Sequence, residues 1–269
     1  MNFTKMQGAG NDFVLVEAGD TQCDWSQVAT ATCDRHFGIG GDGLLVLVPS
    51  DIADFRMRMF NPDGSEANAC GNGLRCLTKY ILHKGLVASG AQEISVETMS
   101  GMRKARMHKV GGKAAAIQVS MGAPQFDARD IPVFIEPSEG DIVDIKLVLN
   151  YPVIIEGREL PMSFVSMGNP HAVCFWQYPL SDFPLSQLGP MVERHKIFPS
   201  RVNFEVARVI SRQRIEVQVW ERGVGETLAC GSGACAVAVL ARTLDYIDNK
   251  VDIKLPGGIL EVEWDGGGE

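Results

Sequence analysis

One phrase is written twice in this chain, and it constrains the fold more than any other feature. Residues 60–76 read F-N-P-D-G-S-E-A-N-A-C-G-N-G-L-R-C, and residues 220–236 read W-E-R-G-V-G-E-T-L-A-C-G-S-G-A-C-A. Laid over each other without a gap, Phe60 meets Trp220, Glu66 meets Glu226, Ala69-Cys70-Gly71 meets Ala229-Cys230-Gly231, and Gly73 meets Gly233. A strand-like stretch precedes each copy and an apolar helical stretch follows it, so each copy sets a cysteine at the mouth of a helix. A self-similar unit of this size implies one substructure built twice.

The flanking elements recur in the same order. Strands are expected at Phe3–Met6 and Phe13–Val16 around a Gly8-Ala9-Gly10-Asn11-Asp12 turn, followed by a helix over Trp25–His36 and strands at Leu44–Val48 and Phe55–Phe60. A helix over Gly73–His83, apolar on most sides, follows the first cysteine, then a hairpin of Ile94–Glu97 and Met102–Met107 and a strand at Ile117–Met121. The second half opens with strands at Val143–Leu149 and Val153–Glu156. The run Phe164 to Val173 then echoes Phe3 to Val14, and Leu185–His195 echoes the first helix. Asn203–Ile210 and Ile215–Trp220 lead into the second phrase. Ala234–Leu244 is the second buried helix, and Val251–Leu255 with Ile259–Trp264 makes the matching hairpin. The fold class that follows is α+β: two similar lobes from an internal duplication, each a curved mixed or antiparallel sheet wrapped around a central apolar helix. Gly122-Ala123-Pro124 is the expected boundary. It gives an N-terminal lobe over 1–122 carrying Cys70 and a C-terminal lobe over 123–269 carrying Cys230, with the last few residues free to pack back on the first lobe. Gly38-Ile39-Gly40-Gly41-Asp42-Gly43 fits the G-x-G-x-x-G spacing, but it follows a helix and opens a strand. A dinucleotide site needs the reverse, so this is a glycine-rich connection.

Charge and cysteine usage bound the function. Net charge is −8 and the pI about 5.2, so the overall field opposes nucleic acids and anionic membranes. Seven cysteines, odd in number and unevenly spaced, argue for a reducing compartment and against a disulfide framework. The residues from Met1 to Lys5 carry no signal pattern, and the longest apolar run, Leu228–Ala241, is too short to span a bilayer. A cytoplasmic protein with a small-molecule substrate is the expectation.

A thiol acts as base or nucleophile only as thiolate, and a helix N-terminus favours that form. Glycines beyond each cysteine bare backbone N–H groups suited to a carboxylate or phosphate. Were the lobes to face each other, a sulfur would flank one bound anion on either side. That is the requirement for taking a proton from one face of a carbon and returning one to the other. Other chemistries fit less well. Zinc lacks a C-x-x-C and has only five histidines to draw on. A thiol–disulfide oxidoreductase also lacks the C-x-x-C, and a Cys–His hydrolase leaves the second cysteine unexplained. Cys76, Cys235, Cys23, Cys33 and Cys174 read as core packing.

Gly8-Ala9-Gly10-Asn11-Asp12-Phe13, Asn61 through Cys76, Gly168-Asn169-Pro170-His171 and Glu221 through Ala236 carry a resemblance that spans nearly the whole chain. The sequence resembles the diaminopimelate epimerases, which interconvert LL- and meso-diaminopimelate without cofactor or metal. The resemblance implies an active site in a cleft between the lobes and a homodimer. It also implies acid and base roles for Cys70 and Cys230, with His171 and Glu221 assisting. Substrate contacts are implied at Asn11, Asn61, Asn169, Asn203, Glu221 and Arg222, and at the backbone of Gly71-Asn72 and Gly231-Ser232. The chain departs from some members in carrying Gly43 where they have Gln, so no contact is assigned there. A racemase of another amino acid, or a redox protein switching through Cys70 and Cys230, are the alternatives.

Overall fold

The two copies of the phrase fall in two separate units of the computed structural model, Met1–Met121 and Gly122–Glu269. The structure describes residues 1–18, 23–67, 70–88, 91–110, 113–135 and 146–269.

Unit 1 is a seven-stranded sheet in sequential order: β1 (Thr4–Gly8), β2 (Asn11–Glu17), β3 (Gly43–Val48), β4 (Phe55–Phe60), β5 (Glu93–Thr98), β6 (Gly101–Val110) and β7 (Lys113–Val119). Two neighbouring pairs are parallel, β2–β3 and β4–β5, and each is joined by a helix: α1 (Trp25–Cys33) and α2 (Gly71–His83). A parallel neighbour demands such a crossover, whereas the antiparallel pairs turn tightly.

The two helices cover opposite faces of the sheet. Phe13, Leu15, Leu45, Leu47, Met57 and Met59 point to α2, where Leu74, Leu77 and Ile81 complete one core. Val14, Val16, Leu44, Val46, Val48 and Phe60 point to α1 and its Trp25, Ala29 and Cys33. That is why β3, Gly-Leu-Leu-Val-Leu-Val, is buried at every position rather than at alternate ones. Each fully buried Leu or Ile is worth about 1.5–3 kcal/mol. Three of them outweigh the roughly 1 kcal/mol that each glycine of Gly71-Asn72-Gly73 costs in helix propensity.

Unit 2 repeats the plan in an eight-stranded sheet. It contains β8 (Tyr151–Ile155), β9 (Arg158–Ser166), β10 (Pro170–Phe175), β11 (Asn203–Ser211), β12 (Arg214–Glu221), β13 (Gly225–Thr227), β14 (Lys250–Leu255) and β15 (Gly258–Glu263). Its parallel pairs, β10–β11 and β12–β14, are again bridged by helices, α3 (Leu185–Glu193) and α4 (Gly231–Thr243). The apolar α4 buries Val237, Val239, Leu240 and five of its alanines and glycines, so small residues let it lie close on the sheet. Among the described residues no helix is long and apolar enough to cross a membrane.

Three expectations need correction. The first helix ends at Cys33, not His36, because the Asp34 carboxylate accepts the N–H groups of His36 and Phe37, both at 2.7 Å, and closes a turn instead. Of the strand expected at Val143–Leu149, residues 143–145 lie outside the described residues and Lys146–Leu149 is irregular. Cys23 is exposed, since it precedes Asp24, the N-cap of α1, whereas Cys33, Cys76 and Cys174 are buried and Cys235 is half-buried.

Candidate active site

Cys70 and Cys230 occupy the same local position, the N-cap of α2 and of α4, both with extended backbone. Each sulfur accepts the N–H of the third residue on: Gly73 to Cys70 at 3.2 Å and Gly233 to Cys230 at 3.3 Å. This is the place that serine or aspartate ordinarily takes at a helix start. The two helices open at Gly71-Asn72 and Gly231-Ser232, whose N–H groups point out of the helix start. They sit at the positive end of each helix dipole, where an anion is stabilised. Gly73 and Gly233 are required by space. A Cβ on Gly73 would lie 2.9 Å from Leu45 and 3.2 Å from the Cys70 sulfur. One on Gly233 would lie 2.7 Å from Glu205 Oε1 and 3.3 Å from the Cys230 sulfur.

In unit 1, the buried Asn72 donates to Asn11 Oδ1 at 3.4 Å, and Asn11 Nδ2 donates to Asp42 at 2.7 Å. Asp42 also accepts the N–H of Asp12 at 2.9 Å, tying the start of β2 to the glycine-rich connection. Burial works against the Asp12 carboxylate, but Arg35 and Lys5 hold it far below the usual carboxylate range. Asn61 stands apart from this group. Its Nδ2 donates to Ser65 Oγ at 3.0 Å, within the turn that carries Asp63.

In unit 2 the side chains form a continuous chain of hydrogen bonds. His171 Nδ1 faces Glu205 Oε1 at 2.7 Å, and both side chains are fully buried. His171 Nε2 faces Asn169 Oδ1 at 3.0 Å, Asn169 Nδ2 donates to Ser232 Oγ at 3.3 Å, and Ser232 Oγ lies 3.4 Å from the Cys230 sulfur. Burial, then the charges of Glu221 and Glu205, push the Cys230 thiol well above its ordinary range, and the bonds from Ser232 and Gly233 only partly offset this. Asn203 donates to Pro170 O at 3.0 Å and accepts the Arg222 N–H at 2.9 Å. The exposed Arg222 guanidinium donates to Ser200 O at 3.0 Å, and Thr227 donates to Glu221 at 2.6 Å. Among the described residues no group of three or more His, Cys, Asp or Glu side chains is arranged to hold a metal ion.

The family model for diaminopimelate epimerase matches residues 3–127 and 163–269. The chain belongs to the diaminopimelate epimerase family. The diaminopimelate epimerase of Acetivibrio thermocellus is 44% identical over 98% of this chain and 91% of its own length. That of Methanococcus maripaludis is 41% identical over 98% and 92%. Family membership makes the chain an enzyme of the isomerase class. Among solved structures, a probable proline racemase from Agrobacterium radiobacter covers 96% of this chain and 81% of its own at TM-score 0.68 and 14% identity. A phenazine biosynthesis protein of the PhzF family from Bacillus anthracis covers 96% and 87% at TM-score 0.65 and 16% identity. These likenesses establish the two-lobed α+β fold and nothing about substrate.

Glu205 is the residue of this site that sequence reasoning passes over. On β11 it alternates with Phe204 and Val206, so it reads as the solvent face of a half-buried strand. In the epimerase fold that face lies under α4, and Glu205 is fully buried beside Gly233.

Proposed function

We propose that this chain epimerises LL-diaminopimelate to meso-diaminopimelate by a two-thiol acid/base mechanism, without pyridoxal phosphate or metal. One thiolate takes the α-proton, the bond pair passes into the α-carboxylate, and the opposing thiol returns a proton to the other face. The observation that carries this is the matched pair of cysteine N-caps, each beside first-turn N–H groups, in a chain of this family. Those N–H groups meet the α-carboxylate where charge develops in the transition state. Burial and the Glu221 and Glu205 charges favour the protonated form of Cys230.

The distal head of the substrate falls to Arg222, Glu221, Asn61 and Asn203, with Asn11 and Asn169 beside the reacting end. Arg222 supplies the planar fork that suits a carboxylate. Asn203 holds the Arg222 main chain while keeping one amide N–H for a ligand. Its product would serve lysine and peptidoglycan-precursor biosynthesis, in the cytoplasm and as a homodimer.

The test is incubation of reduced enzyme with LL-diaminopimelate in D₂O, with nothing added. The expected result is meso product carrying one α-deuterium. Neither inversion nor exchange would overturn the proposal, and equal turnover of lysine would point to a broad amino-acid racemase instead.

A further inference from the structure

Glu205 and His171 make the only contact at 2.7 Å between two fully buried titratable side chains among the described residues' ion pairs. The partners of His171 fix its protons. Nδ1 faces a carboxylate oxygen and Nε2 faces the Asn169 carbonyl oxygen. Both partners are acceptors, and a neutral imidazole has only one N–H. The Nδ1–Oε1 distance falls in the range of charge-assisted N–H⁺···O⁻ bonds.

The direction of the remaining bonds follows. Asn169, having turned Oδ1 to His171, donates through Nδ2 to Ser232 Oγ. Ser232, accepting there, has its own proton to give to the Cys230 sulfur at 3.4 Å, beside the N–H of Gly233. The Nδ1 N–H points back to Glu205, and from Nε2 onward every donor points toward Cys230. The carboxylate keeps a proton on Nδ1, the ring is then donor-only at Nε2, and the bonds from Nε2 to the sulfur, aligned one way, polarise one another. Position supports the arrangement. Val173 is the register partner of Glu205 across β10 and β11, and Oε1 lies 2.7 Å from where a Cβ on Gly233 would stand. The second oxygen, Oε2, is buried without a partner, so the carboxylate is committed to His171 alone.

We propose that Glu205 is a positioning residue for the Cys230 half of the site. It holds His171 as an imidazolium whose Nε2 N–H orients Asn169 and, through Asn169, Ser232, so that donors converge on the sulfur whenever Cys230 carries negative charge. This rests on the epimerase reading for its purpose but not for its geometry.

The test uses ¹⁵N-histidine-labelled enzyme without substrate, together with epimerisation kinetics. In the wild type, the His171 spectrum should show an N–H on both ring nitrogens, one facing Glu205 and one facing Asn169. Glu205→Gln keeps the shape and should leave one ring nitrogen bare. Its kcat should fall roughly 10- to 100-fold, the loss of one charge-assisted hydrogen bond, with KM moving far less. A single neutral tautomer in the wild type overturns the proposal, and that measurement stands whether or not the variant folds. A folded Glu205→Gln enzyme with unchanged kcat or a doubly protonated ring overturns it too. Absence of epimerisation in the wild type would instead overturn the functional reading and leave the imidazolium to be judged by the spectrum alone.

Discussion

Gly189 offers a stability test that reaches the site through packing. It lies in the middle of α3 under the indole of Trp220, the residue before Glu221 and Arg222. A Cβ there would stand 2.5 Å from Trp220 Cδ2 and 2.7 Å from Cγ and Cε3. Carbon atoms in contact rest about 3.5–4.0 Å apart, so about 1 Å must be found. The indole is pinned, because its Nε1 donates to Glu193 Oε2 at 2.9 Å. The helix is pinned as well, with Leu185, Leu188 and Val192 buried in the unit 2 core. Overpacking of this kind costs about 1–3 kcal/mol. If the indole yields, its bond to a carboxylate is lost at about 1.5–3 kcal/mol more. The gain in helix propensity for Gly189→Ala returns only about 1 kcal/mol. The net expectation is a loss of roughly 2–4 kcal/mol, measured by urea unfolding followed by tryptophan fluorescence with unchanged m. KM should rise as well, since the strand that carries Glu221 and Arg222 is displaced. Trp220→Ala removes the clashing ring, so Gly189→Ala made in that background should cost far less than it does in the wild type. A Gly189→Ala protein within about 0.5 kcal/mol of wild type, the range of an inert surface change, would refute the reasoning.

Other tests follow from single residues. Burial raises the Glu193 carboxyl, but the bonds from Trp220 and Gly223 and the charges of Arg194 and Arg201 outweigh it and hold it below its ordinary value. Its stabilisation is therefore complete above the ordinary carboxylate range and is lost as pH falls below about 4.5. Acid unfolding of wild type should accordingly be steeper than that of Glu193→Gln. Cys70→Ala and Cys230→Ala should each abolish epimerisation while folding normally. Cys76→Ala should keep most activity, because burial pushes that thiol up to about 11 and leaves it inert; near-normal inversion by Cys230→Ala would refute the two-thiol scheme. Arg222→Lys should lower kcat/KM for diaminopimelate by roughly tenfold or more, since an ammonium cannot reproduce the two-pronged grip on a distal carboxylate.

The fold was legible because duplication and helix–strand order are written locally. The alternation of Phe55–Phe60 gives β4 residue for residue, and the apolar run after each cysteine gives α2 and α4 to within three residues. Boundaries set by a side chain reaching back to the backbone were not legible. Asp34 stops α1 through two N–H bonds that periodicity cannot register. β13, three residues long, carries no periodic signal at all. The site was legible where residue type and phrase coincide, as at the two cysteine caps. It was not legible where burial comes from a distant element. Glu205 is an example, its face covered by α4, which begins twenty-six residues later in the sequence.

The two halves share a cap but not an environment, and the difference bears on the chemistry. Around Cys70 the neighbours in its own unit are amides, Asn72 and Asn11, backed by Asp42. Around Cys230 they are Ser232 and Asn169, backed by an imidazole and a buried carboxylate. A racemase converting mirror images would have reason to keep its two proton carriers alike, because its two reactions are mirror images at the reacting carbon. Diaminopimelate carries a second stereocentre that does not react, so LL and meso forms are diastereomers and the two directions are different reactions. An enzyme that grips that distal centre has no symmetry to preserve at the reacting one. The fully buried histidine–carboxylate pair of the Cys230 lobe is what such an enzyme can tolerate, and it predicts that solvent deuterium enters the LL and meso substrates at unequal rates. Equal rates of entry from both, in enzyme with intact Glu205 and His171, would argue that the lobes work as equals despite their unequal surroundings.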